Sequence, residues 1–498
     1  MKHPVCQILV VLLWLVGDCS LIHAEITDVK AYQAPTDELA EQSIWSEYEF
    51  HKSQVGYLVY DPEGTEILVQ NNANKTFIPA SVSKILTTIA ALKVLGPDYR
   101  FKTELRYTGH ISGQTLMGDL YLKGSGDPFL TSSDLMQMVR ALAARNIDRI
   151  RGNFFYDEHA LFKTMQINRR FEQDGTWNTG ISALSSEFNR QTIHWKPSPG
   201  RGNMEAFFTP SLPFVHLEIS RRKPSGVALF VNRDKGKETI WQISPKVSAT
   251  GSKKLPVRQG GRFTAELFSK FARMNGIEMP EPKPSKTPEE ARQIRTHTSL
   301  PLVRLCKSLL EYSSNLMAEL ILLQTAKELA HEKLSLKESA QTVQNWLERN
   351  IPGLHASGFE YWNGSGLNSK SRVSPVHMVN ALNYADAIWG HKLDYGSLLP
   401  ISGWTGSLRR RMIEPDIALR VWAKTGTISY ASGVAGYLYP HSGRRLLFSI
   451  FITDYRQRKQ FESGRDSHSR QDIAAARRWT ERARSLEEAL LKRWVARL

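Results

Sequence analysis

Cysteine is scarce in this chain. Three occur in 498 residues, and Cys6 and Cys19 fall in an N-terminal leader pattern, leaving Cys306. A single thiol excludes an intramolecular disulfide framework, and in the leucine-rich stretch Leu302 to Leu310 it reads as a small core residue. The 14 histidines include no H-x-x-x-H pair, so a zincin-type site has no support. After the leader, no apolar run approaches the roughly 18 residues of a membrane span. Zinc-finger spacing, RNA-recognition aromatics and a P-loop are missing, and so are internal repeats and low-complexity blocks.

With 41% of its residues hydrophobic and 23% charged, the chain has a globular composition, and its length allows about two to four domains. Residues 1–24 are laid out as a signal peptide. Lys2 gives a basic start, Ile8 to Val16 is apolar, and Ile22-His23-Ala24 precedes the expected cleavage. Asp18 before Cys19 makes a poor lipidation site. Export to a bacterial periplasm or cell surface is expected. Lys and Arg total 65 against 49 Asp and Glu, a formal charge of +16. Such a surface favours anionic partners. In an exported chain these are lipid headgroups or cell-wall peptide carboxylates rather than nucleic acid.

Val55 to Tyr60 and Thr65 to Gln70 flank Asp61-Pro62-Glu63-Gly64 and predict a hairpin. Val82 to Leu95 carries apolar residues at helical spacing and stops at Gly96-Pro97, which puts Ser81 at the first turn of a largely buried helix. From about residue 99 to 294 short strand candidates dominate: Thr103 to Gly109, Gln114 to Gly124, Gly226 to Asn232 and Glu238 to Ser244. Pro280 to Pro288, with four prolines, reads as a linker. Helical patterning resumes at Leu300 and runs past Glu311 toward Trp346. Leu419 to Thr425, Gly433 to Tyr439 and Arg444 to Asp454 are strand candidates, the last two joined by Pro440-His441-Ser442-Gly443. A terminal helix places Trp479, Ala483, Leu486, Leu490, Trp494 and Leu498 on one face. From Arg456 onward 12 Lys/Arg stand against 6 Asp/Glu. Its apolar face is expected to complete a layer on the neighbouring sheet, with peripheral contact to an anionic membrane as the other reading.

Three motifs follow in order: Ser81-Val82-Ser83-Lys84, Ser313-Ser314-Asn315 and Lys424-Thr425-Gly426. Each alone has a plain structural reading, as a helix cap, a solvated helix residue and a strand end. Together and in this order they are the three boxes of serine penicillin-binding enzymes. In a helix, residues i and i+3 share a face, so Lys84 can take the Ser81 proton. An ordinary lysine is protonated at neutral pH, but burial and a second cation favour its neutral form. Lys424 would be that cation. Ser313 and Asn315 would supply hydrogen bonds linking the lysines and the substrate amide, and backbone N–H groups at the helix start would face a developing oxyanion.

From about Val55 to Asp454 the chain resembles the low-molecular-mass class C penicillin-binding proteins, the D-alanyl-D-alanine carboxypeptidase/endopeptidase group (penicillin-binding protein 4-like, peptidase family S13). Gly118-Asp119-Leu120 with Gly124 to Pro128, Ile181 to Leu184, Gly364-Ser365-Gly366-Leu367 with Arg372 to Pro375, and Leu399 to Gly403 with Gly406 to Leu408 carry the likeness beyond the boxes. The fold implied is α/β (α+β): a discontinuous β-lactamase/transpeptidase-like domain over residues 25–98 and 295–498, with a β-rich insertion at 99–294.

The resemblance implies that Ser81 attacks the carbonyl between two D-alanines of a peptidoglycan stem peptide, with Lys84 as base. Ser313 and Asn315 are implied for proton transfer and placement. Lys424, Thr425, Gly426 and Thr427 form the substrate-binding strand, with hydroxyls and the lysine for the carboxylate. The N–H groups of Ser81 and Thr427 are implied for the oxyanion hole. Cross-links between stems are a further implied substrate, β-lactams are implied covalent inhibitors of Ser81, and the resemblance implies no metal or organic cofactor. Three positions depart from the pattern: Asn363 where aspartate is common, Thr427 where serine is common, and Trp404 where a smaller or polar residue is expected. A β-lactamase, a serine esterase or D-aminopeptidase, and a wall-binding relic are the other readings.

Overall fold

The computed structural model describes residues 44–498, except 170, 172–173, 198–203, 220–228, 236–237, 244–249, 356–357, 390–391 and 464–468. The leader pattern at 1–24 lies outside the described residues.

Five strands form the central antiparallel sheet: β1 (Val55–Asp61), β2 (Glu66–Asn71), β3 (Val421–Ile428), β4 (Ala431–Leu438) and β5 (Leu446–Thr453). Their order is β3-β4-β5-β1-β2, so the first hairpin of the chain and the last three strands share one sheet. The turn between β1 and β2 is held by Asp61, whose Oδ1 accepts from the N–H groups of Glu63 and Gly64. Alternation along a strand sends its side chains to two cores. In β5, Leu447 and Phe451 enter one core, while Leu446, Phe448, Ile450 and Ile452 enter the other.

The first core holds helices α1 (Lys84–Val94), α2 (Leu302–Tyr312), α3 (Asn315–Ala330) and α4 (Pro375–Trp389). Cys306 is buried there as a free thiol whose pKa burial pushes up. α1 is the central helix, and every residue from Lys84 to Leu92 is buried. The opposite core is closed by α5 (Arg470–Arg497), whose Trp479, Ala483, Leu486, Leu490 and Trp494 pack on the sheet. The apolar face that a membrane would take up is therefore occupied. No helix among the described residues is long and apolar enough to cross a membrane.

Between α1 and α2 lies a second five-stranded sheet. Its order is Pro282–Pro284, Phe154–Asp157, Leu120–Gly124, Lys102–Tyr107 and Arg292–Thr298, and helices Ser132–Ala143 and Gly260–Met274 share its core. Among the described residues three three-stranded sheets accompany it. Two readings from sequence change here. The proline-rich segment is not a free linker: Pro282–Pro284 pairs with Phe154–Asp157 at the sheet edge, where a missing N–H costs no ladder bond. The expected strand Gln114 to Gly124 is two, Thr115–Met117 and Leu120–Gly124. Gly118 breaks it by passing so close to Thr108 that an added Cβ would lie 2.0 Å from the Thr108 carbonyl oxygen.

This region is fastened to the first core through α3. Leu161, Ile181 and Ala183 pack on Leu316, Leu320 and Leu323, so the face of α3 next to Asn315 is fixed from outside the central sheet.

Candidate active site

Ser81 sits in a 3₁₀ turn, Ala80–Ser83, that leads directly into α1. The turn is held in an uncommon shape, with Ala80 at φ 46°. Two glycines make room for it. A Cβ on Gly366 would lie 1.7 Å from the Ala80 carbonyl oxygen, and one on Gly426 would lie 2.8 Å from the Ser81 nitrogen. The glycine of the third motif is therefore the point where β3 presses against the Ser81 turn.

One turn along, Lys84 is fully buried, and its Nζ has three partners: Ser81 Oγ at 2.7 Å, Asn315 Oδ1 at 2.8 Å and the Ser365 carbonyl oxygen at 2.7 Å. The amide of Asn315 is oriented by its own Nδ2, which donates to the Trp177 carbonyl at 2.9 Å. Two of the partners of Nζ can thus only accept, whereas the Ser81 hydroxyl can also donate. A neutral amine satisfies this geometry, with two N–H groups given to Asn315 and Ser365 and its lone pair facing the Ser81 proton. Burial drives the Lys84 pKa well below the ordinary lysine value, and the Lys424 charge lowers it further against the pull of Glu319.

Glu319 was not singled out from sequence. It lies four residues after Asn315 on α3, fully buried, and a charged residue within Leu316 to Leu323 is the signal that could have marked it. Its carboxylate accepts from Asn363 Nδ2 at 2.9 Å and from the N–H groups of Gly364 and Ser365 at 3.1 and 3.0 Å. Burial raises its pKa against these bonds. Asn363 is explained by this nest: its amide donates to both Glu319 and Ser365 Oγ, which an ionised aspartate could not do.

Lys424 is also fully buried, and burial lowers its pKa to about 7. Its Nζ donates to the Thr425 carbonyl oxygen at 2.6 Å and not to Ser313. Ser313 adopts a left-handed backbone between α2 and α3, and its residue lines a cleft of about 720 Å³. Among the described residues its hydroxyl has no hydrogen-bond partner, so the structure links Asn315, but not Ser313, to a lysine. The cleft is framed by Tyr312 and Trp404, 72% and 67% exposed, and by Arg409. Trp404 therefore forms a rim and fills no core position.

β3 is an edge strand. Its Ala423 N–H points outward to the Pro400 carbonyl at 2.8 Å, and the two-residue alternation turns the N–H groups of Thr425 and Thr427 the same way. Thr425 Oγ1 donates to Ser407 Oγ at 2.8 Å, and Thr427 Oγ1 accepts from Arg484 at 3.3 Å. The three motifs thus meet around one hydroxyl, beside the Thr425–Thr427 edge of β3, which has no strand partner among the described residues. Chemically this arrangement can activate a serine, hold an extended peptide on β3 and stabilise an oxyanion.

A sequence model of the D-Ala-D-Ala carboxypeptidase 3 (S13) family matches residues 40–473. The D-alanyl-D-alanine carboxypeptidase DacB of Haemophilus influenzae is 25% identical over 416 residues, covering 81% of this chain and 86% of that protein. A D-alanyl-D-alanine carboxypeptidase of an Actinomadura species is 26% identical over 423 residues, covering 79% and 77%. The crystal structure of penicillin binding protein 4 from Haemophilus influenzae superposes with a TM-score of 0.76 at 21% identity, covering 92% of this chain and 99% of that one. The same protein complexed with a β-lactam gives a TM-score of 0.69 at 22% identity, over 88% and 96%.

Proposed function

The chain belongs to the D-Ala-D-Ala carboxypeptidase 3 (S13) family, and on that premise we propose that Ser81 is its nucleophile and Lys84 the base that activates it. The enzyme is a serine-type D-Ala-D-Ala carboxypeptidase, a penicillin-binding hydrolase acting on peptidoglycan stem peptides through an acyl-serine intermediate. The observation that carries the assignment of roles is the trio around Lys84 Nζ, which leaves its lone pair for the Ser81 proton.

The stem peptide lies along β3 with its terminal carboxylate at Lys424, Thr425 and Thr427. Ser81 Oγ attacks the carbonyl between the two D-alanines as its proton passes to Lys84 Nζ. The N–H groups of Ser81 and Thr427 receive the oxyanion. The proton then reaches the leaving D-alanine amine, with the Ser313 hydroxyl in the cleft wall on that path. Water hydrolyses the acyl-enzyme. Asn315 keeps Lys84 aimed, and Gly426 lets β3 approach the turn.

The cleft framed by Tyr312 and Trp404 leaves room beyond a single D-alanine, which supports hydrolysis of D-alanyl cross-links at the same site. β-Lactams would acylate Ser81 as mimics of the D-Ala-D-Ala bond. The leader pattern supports export, so the working place is the cell wall outside the cytoplasm. We assign residues 99–294 as an insertion in a catalytic domain built from 25–98 and 295–498, because β1, β2 and β3 to β5 form one sheet.

The test is release of D-alanine from a D-Ala-D-Ala-terminated pentapeptide. Ser81→Ala is expected to reduce turnover by about a thousandfold or more. A variant retaining above about a tenth of the wild-type rate would contradict the assignment.

A further inference from the structure

The C-terminal helix delivers one side chain to the substrate strand. Arg484 of α5 donates from Nη2 to Thr427 Oγ1 at 3.3 Å. Its position is set by a latch one turn further on. Thr427 of β3 stands opposite Ser432 of β4, and Ser432 Oγ donates to the fully buried Glu487 at 2.6 Å. Arg411 completes the latch, bonding Glu487 at 3.0 Å, Glu488 at 2.6 Å and the Arg484 carbonyl oxygen at 3.4 Å. Residues three apart share a helix face, so fixing Glu487 over Ser432 places Arg484 over Thr427.

The latch also engages two of the acids close to Arg484 on α5. Glu487 and Glu488 are both engaged by Arg411, and among the described residues no carboxylate lies within ion-pair distance of Arg484. The guanidinium is exposed and has N–H donors left over after Thr427. The other cation of the strand, Lys424, is fully buried and donates to a backbone carbonyl. Arg484 is therefore an accessible positive charge at the Thr427 end of β3, while Arg409 stands in the cleft wall beyond Ser407, the partner of Thr425.

We infer that Arg484 binds the terminal carboxylate of the substrate together with Thr425 and Thr427. The inference rests on the reading of β3 as the substrate strand. A planar fork of N–H donors matches a carboxylate in two parallel bonds, and an arginine aimed at a threonine hydroxyl that shares the same anion gains both charge and geometry. The basic end of the chain thus acquires a role in recognising an anionic peptide end.

The experiment compares acylation of the full chain by benzylpenicillin, which carries a carboxylate, and by its methyl ester, which does not. Wild type, Arg484→Ala and Arg484→Lys are followed by intact mass, with thermal melting to verify folding. Arg484→Ala is expected to lower the second-order acylation rate about tenfold to thirtyfold for benzylpenicillin and to change the ester rate by less than about twofold. Arg484→Lys is expected to fall between, because it keeps the charge and loses the fork. Equal losses with both compounds, or no loss with either, would overturn the inference. Absence of any adduct on the wild-type chain would instead overturn the acyl-serine reading and this inference with it.

Discussion

Glu319 sits among N–H donors from Asn363, Gly364 and Ser365, and the Ser365 carbonyl in turn holds Lys84. A carboxylate in that nest tolerates an amide at 363 but not a second carboxylate 2.9 Å away. Asn363→Asp is expected to destabilise the protein by about 2–4 kcal/mol at pH 8, through loss of a buried donor and repulsion between like charges. The new acid pair holds a proton more tightly folded than unfolded, so its penalty is present above ordinary carboxylate pKa values and shrinks as pH falls toward 5. Denaturant unfolding of both proteins at pH 5 and pH 8 measures this, and an equal difference at both would contradict it. At this scale Ser81 and Lys84 are legible because i, i+3 spacing on a helix is a property of residue types. The carbonyls of Ser365 and Trp177 are not, since a backbone acceptor leaves no trace in the sequence. Glu319 lies between: its position within an apolar run is visible, while its donors come from a segment 44 residues away.

At the scale of elements, the second sheet and helix Ser132–Ala143 are joined by His297. Its Nε2 lies 3.2 Å from Asp127 Oδ2 and its Nδ1 3.6 Å from Asp134 Oδ1. Burial lowers the His297 pKa, but the bond to Asp127 and the charges of Asp134 and Asp127 outweigh it, and the net shift is upward. A histidine with a raised folded pKa stabilises fully below its unfolded value, and that contribution is lost as pH rises through the folded value. His297→Asn is therefore expected to lower the melting temperature by several degrees at pH 5.5 and by less at pH 8.5. Equal losses at both would contradict the ion-pair account. The elements were mostly readable from periodicity, as α1 and the β1–β2 hairpin show. Pro282–Pro284 escaped because prolines mark linkers and sheet edges alike, and only the neighbouring strand tells them apart.

For the whole molecule, one antiparallel sheet separates a helical core bearing Ser81 and Lys84 from a core closed by α5, and strands from both ends of the chain meet in it. The amphipathic face of α5 could be read in sequence, but its target could not. The choice between sheet and membrane depends on whether β4 and β5 expose an apolar surface for it. With that face buried, the formal charge of +16 is expected to act through solvent, drawing the enzyme to anionic peptidoglycan. Digestion of isolated peptidoglycan is expected to slow severalfold between about 50 and 300 mM NaCl, as screening shortens the reach of the field. D-Alanine release from a short neutral-backbone peptide is expected to change less, and equal salt dependence would contradict the steering. The central claim is that the three motifs converge on a single acylable hydroxyl. It is tested most directly by the intact mass of the protein after exposure to benzylpenicillin, with Ser81→Ala alongside. One penicilloyl adduct on the wild-type chain and none on Ser81→Ala is the predicted result; an adduct that persists in the Ser81→Ala protein, or none on either chain, would contradict the account.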